Sequence, residues 1–113
     1  MQNEIKIFKR ERLAFDFQKV AEERCVPILP LEADLLLKRV RDGGYSGDFL
    51  AAAFLSMYRT DEPFGFSLGG LNKLDAEAFR LFHEILHVRF CKGWNDDFLY
   101  DLEQKIKAMY AQF

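Results

Sequence analysis

The sequence predicts a compact, mostly α-helical domain of about five helices. Three observations carry that reading. Apolar residues recur at the spacing of one helix face over several stretches, with charged residues between them. Pro, Gly, Asp, Asn or Ser stands at most of the joins, where helices start and stop. Between those joins, the stretch Phe49-Leu50-Ala51-Ala52-Ala53-Phe54-Leu55 is apolar nearly all round, as expected of a helix covered on several sides.

The elements follow in chain order. Ile5, Ile7 and Phe8 read either as one short N-terminal strand or as a frayed first turn. From about Arg10 the pattern is helical, with Leu13, Phe17, Val20 and Ala21 on one face. Pro27 and Pro30 make residues 26–31 an extended linker. A second helix is expected over residues 31–42, stopped by Gly43-Gly44. A third, over 47–59, is expected to start at a Ser46 cap and to bury Phe54 deeply. Residues 61–74 form a loop anchored by Phe64, Phe66, Leu68 and Leu71, with one helical turn after Ser67. Asp75 caps a fourth helix over 76–91, with Phe79, Phe82, Leu86 and Phe90 as its main face and Leu81, Ile85 and Val88 covering the opposite side, so that it is largely buried. Asn95 caps a fifth over 96–111, with Phe98, Leu102, Ile106 and Met109 lining one face and Leu99 and Tyr110 beside them. Glu103 falls on its wet side beside Lys107, and Asp101 pairs with Lys105.

The chain of 113 residues is expected to be one domain, residues 1–113, with no internal repeat. Half of it is hydrophobic and 30% charged, enough to bury a core and stay soluble. Sixteen basic against 18 acidic side chains argue against a dedicated nucleic-acid binder, which shows a basic excess. No apolar run approaches the roughly 20 residues that span a bilayer, so no membrane is expected. The charged N-terminus has no signal-peptide core, which points to the cytoplasm. Cys25 and Cys91 then read as ordinary thiols in a reducing compartment.

One motif could carry chemistry. Residues 83–87 read His-Glu-Ile-Leu-His. Imidazoles four residues apart on a helix can hold one Zn²⁺, with the glutamate as general base on the bound water. His83 and His87 would be ligands and Glu84 the base of a minimal zinc metallopeptidase. No further histidine exists to complete the ligand set, and Glu103 has a sufficient role beside Lys107. The sequence therefore favours no cofactor and no metal, with zinc as the alternative. His83 shares the aromatic face of its helix, while Glu84 and His87 fall toward the polar strip.

The stretch from Gly43 to Phe90 resembles an uncharacterised family of small bacterial proteins, a domain of unknown function typical of plasmids and integrated conjugative elements. The resemblance lies in Ser46, Phe49-Leu50, Leu55, Tyr58, the Phe64-Gly65-Phe66-Ser67-Leu68 turn and Leu74-Asp75. It implies a gene of the mobile pool of bacterial DNA and transfers no functional residue.

The function expected from all this is non-enzymatic binding of another macromolecule or of a second copy. The 17 aromatic side chains are many for so small an interior, and a dimer would cover the surplus. Phe64, Phe66, Trp94 and Phe113 are the candidate contact residues for a homodimer or an unidentified protein partner. A further alternative is a small-molecule binder with a pocket between helices lined by Phe and Met.

Overall fold

Gly43 decides how the first two described helices meet. Its φ of 75° is left-handed, a conformation that glycine adopts without a side-chain clash. The computed structural model describes residues 19, 22–24, 29–88 and 96–111. Helix α1 spans Ala33–Asp42 and α2 spans Gly44–Tyr58, with Gly43 alone between them. The Gly43 N–H donates to the Arg39 and Val40 carbonyls and closes α1. The chain then turns within one residue, so α2 begins at Gly44 and Ser46 lies inside the helix rather than capping it.

The Ser67 hydroxyl accepts the Gly69 N–H and opens a short 3-10 helix, Leu68–Lys73. The Asp75 carboxylate accepts the Ala78 N–H at 2.8 Å and caps α3, Ala76–Leu86. Helix α3 is shorter than expected. It ends at His87, whose N–H and that of Val88 bond back three residues to the Glu84 and Ile85 carbonyls and tighten the last turn. Helix α4 spans Asp96–Ala111, as the periodicity predicts. Lys19 and Glu22–Arg24 are helical, within the expected first helix. The rest of that helix, the N-terminal strand alternative, Cys25, Phe90, Cys91, Trp94, the Asn95 cap and Phe113 lie outside the described residues.

The result is a mostly helical, compact bundle built around α2. Helix α2 packs against α1, α3 and α4, and α1 also meets α4. Phe49, Leu50 and Phe54 are fully buried, with Phe54 stacked on Tyr58. Phe49 is a hub, its ring centroid 5.2 Å from Phe64, 5.3 Å from Phe66 and 5.5 Å from Phe82. Among the described residues, no helix is long and apolar enough to cross a membrane.

Two inward faces differ in part from expectation. On α3 the core is met by Ala78, Leu81, Phe82 and Ile85, while Phe79 and Leu86 stay exposed. On α4 it is met by Leu99, Leu102, Glu103 and Ile106, while Phe98 and Tyr110 stay exposed. Glu103 is therefore buried, not on the wet side. Its carboxylate accepts both Arg59 Nε, at 2.8 Å, and Arg59 Nη2, at 2.9 Å. That forked, charge-assisted pair is what makes burial of the carboxylate tolerable. A second fork ties α1 to the start of α3: Arg39 donates twice to Asp75 and once to Glu77. The Arg39 guanidinium and the Ala78 N–H hold the Asp75 carboxyl down at about 2.

Two predictions follow from this packing. A Cβ on Gly47 would lie 2.6 Å from the Arg39 carbonyl oxygen. Gly47→Ala should destabilise by about 1–3 kcal/mol, because backbone must move to admit the methyl; a urea midpoint equal to wild type would refute the close approach of α1 and α2. Arg59 holds the Glu103 carboxyl below the usual carboxylate range. The pair's contribution is thus fully present above the unfolded carboxylate value, about 4.3, and is lost as pH falls through the lower folded value. Urea midpoints measured across that window should fall steeply for wild type and less steeply for Glu103→Gln.

Candidate functional site

The His-Glu-Ile-Leu-His segment forms the last turn of α3 and its cap. Glu84, expected on the polar strip, is buried. Its Oε1 accepts the backbone N–H of Glu32 at 2.9 Å, and its Oε2 accepts Arg80 Nε at 3.2 Å. His87 is half-buried, and its Nδ1 accepts the Leu29 N–H at 2.8 Å. A bare Nδ1 fixes the tautomer: the neutral ring carries its proton on Nε2. Burial, and then the charge of His83, pushes the His87 pKa down. The His83 ring lies tilted against Phe79, with centroids 4.6 Å apart, and its Nε2 is buried without a hydrogen-bond partner among the described residues.

Glu84 and His87 are thus turned toward the linker at residues 29–32. A general base needs a carboxylate oxygen facing the reacting water. Both oxygens of Glu84 are already engaged in holding backbone and Arg80. Among the described residues, no three His, Cys, Asp or Glu side chains gather into a metal-binding group. Glu103, the one later glutamate, is committed to Arg59.

The second feature is an apolar pocket of about 160 Å³ between α2, α3 and the loop before the 3-10 helix. Ala53, Ser56 and Met57 of α2 form one wall, Phe82 and Leu86 of α3 the other, and Phe64 and Leu68 the end. Ser56 brings the sole hydroxyl among these side chains, and none of them is charged. Leu68 is 65% exposed and Leu86 is 41% exposed. Of the candidate contact residues, Phe64 lines this pocket and Phe66 packs half-buried against Phe49. Sequence reasoning placed Leu68 as a loop anchor and Leu86 in the core. The tertiary arrangement leaves both at the pocket's edge.

No family model matches the chain, and neither a curated protein nor a solved structure does.

The linker bonds make a prediction of their own. Glu84→Ala strips the acceptor from the Glu32 N–H, and an orphaned donor costs about 1–3 kcal/mol. Glu84→Gln keeps an acceptor oxygen and should lose less. Equal unfolding midpoints for the two variants would show that the Glu32 bond contributes nothing.

Proposed function

We propose that this chain is a non-catalytic binding module whose docking face is the apolar pocket between α2 and α3, and that a second copy of the chain occupies it. The observation that carries this is the exposure of Leu68 and Leu86 beside an uncharged hollow. A knob and a hole on one surface suit an isologous pairing, in which each copy fills the other, and the two-fold dimer is the commonest closed assembly. The engagement of both Glu84 oxygens supports a binding role over hydrolysis. The resemblance to small proteins of plasmids and conjugative elements supports an accessory role in mobile bacterial DNA.

Light scattering at micromolar concentration tests the reading. Wild type should give twice the monomer mass of 13.2 kDa, and Leu68→Asp with Leu86→Asp should return it to 13.2 kDa. A wild-type mass of 13.2 kDa rejects self-association. A chelator should leave the melting temperature unchanged. One equivalent of zinc, lost on His83→Ala, would instead assign the metallopeptidase alternative, since a bound metal stabilises the fold by mass action.

A further inference from the structure

The pocket between α2 and α3 has a size and a chemistry that select among small molecules. Its volume is about 160 Å³, and an apolar cavity of about 150 Å³ holds one benzene. Pockets for drug-sized ligands are larger, from about 300 Å³ upward. One ring therefore fits, and a nucleotide or a coenzyme does not. None of the lining side chains is charged, so an ionic ligand would lose its hydration with no partner to offset the loss. Ser56 brings the sole hydroxyl. Its oxygen keeps an acceptor lone pair even where its own proton is used within the helix. Met57, Phe64 and Phe82 stand around it. Two rings and a thioether favour an aromatic guest over an aliphatic one, through edge-to-face and sulfur–aromatic contacts. We infer that this pocket takes a small uncharged aromatic molecule with a single hydroxyl, of the phenol class, whose O–H donates to Ser56 Oγ.

Resting on the reading of the pocket as the docking face, the same site gains a regulator. Leu68 and Leu86 edge the hollow, so a ring held inside and a side chain of a second copy contend for one space. The ligand binds the open pocket and not the filled one, and that difference in affinity is what shifts an equilibrium. Phenol therefore draws the chain toward the monomer by mass action.

Titration of the whole chain with phenol, followed on the methionine methyl groups by NMR, tests the site. The Met57 methyl should shift saturably under the ring current of the guest. The methyl of Met109, which packs against the core from α4, should hold still. Ser56→Ala should weaken phenol about two- to tenfold, the worth of one hydrogen bond, and should not weaken toluene. Benzoate, whose charge finds no partner in the wall, should bind less well than phenol. Light scattering on the same samples should show the mass fall from twice 13.2 kDa toward 13.2 kDa as Met57 saturates. The ligand site is overturned if phenol leaves Met57 unmoved or shifts Met109 equally. It is overturned too by equal phenol affinity in a Ser56→Ala variant whose urea midpoint shows it folded, or by benzoate binding as tightly as phenol. A dimer mass that persists with Met57 saturated overturns the competition. The methyl titration reads monomer and dimer alike, so a wild-type mass of 13.2 kDa without phenol rejects self-association and not the ligand site.

Discussion

Every other element answers to one constraint: α2 is apolar nearly all round and has to be covered on every side. A helix of this composition has no face that water favours. Helix α1 covers it on one side, α3 on another and α4 on a third. The loop before the 3-10 helix covers part of the remaining face with Phe64 and Phe66, both within about 6 Å of Phe49 in ring-to-ring distance, and leaves the pocket beside Ser56 and Met57 open. Small residues make the close approaches workable. Gly47 sits under the α1 backbone, and Ala51 and Ala53 are buried. The adjacent positive-φ glycines Gly43 and Gly44 then turn the chain so that α1 packs against α2.

Covering α2 forces charged groups inward, and the bundle meets that in one recurring way. Glu84 and Glu103 are both almost wholly buried, and each is reached by an arginine from a more exposed position, Arg80 and Arg59. A buried carboxylate without such a partner would shed its charge or destabilise the fold. The guanidinium suits the task, since its stem lies along apolar surface while its fork reaches the oxygens. Lys107 adds a second cation 3.7 Å from Glu103.

The helical class, the central place of residues 47–58 and the last helix were legible because long, strongly periodic segments dominate them. The Asp75 cap and the turn after Ser67 were legible because side chains bond the backbone locally. What misled was reading charge before position. Glu84 lies three residues after Leu81 and four before Val88, and Glu103 lies four after Leu99 and three before Ile106. Periodicity alone puts both glutamates on the core face. Their charge argued them off it: the arginine that neutralises Glu103 comes from 44 residues away, and Glu84 pairs with Arg80 one turn back while also holding the distant Glu32 backbone. The exposure of Phe79 and Leu86 was hidden for the converse reason: an apolar side chain looks internal until the neighbouring helices are placed.

Helix α3 shows how one segment can resemble a catalytic motif and serve packing. At about 100° per residue, its positions sort into three stripes. Ala78, Leu81, Ile85 and Val88 enter the core. Phe82 and Leu86 line the pocket. Glu84 and His87 face the linker and accept its backbone N–H groups. A glutamate and a histidine three apart are what an extended strand of backbone crossing a helix end needs, since each offers an acceptor to a donor that has no helical partner. Burial pushes the His87 pKa down, and the charge of His83 one turn back on the helix pushes it further. A catalytic motif would spend its polar atoms on the solvent side of the helix. Here Glu84 and His87 are spent on the protein's own chain, and those two residues clasp the linker.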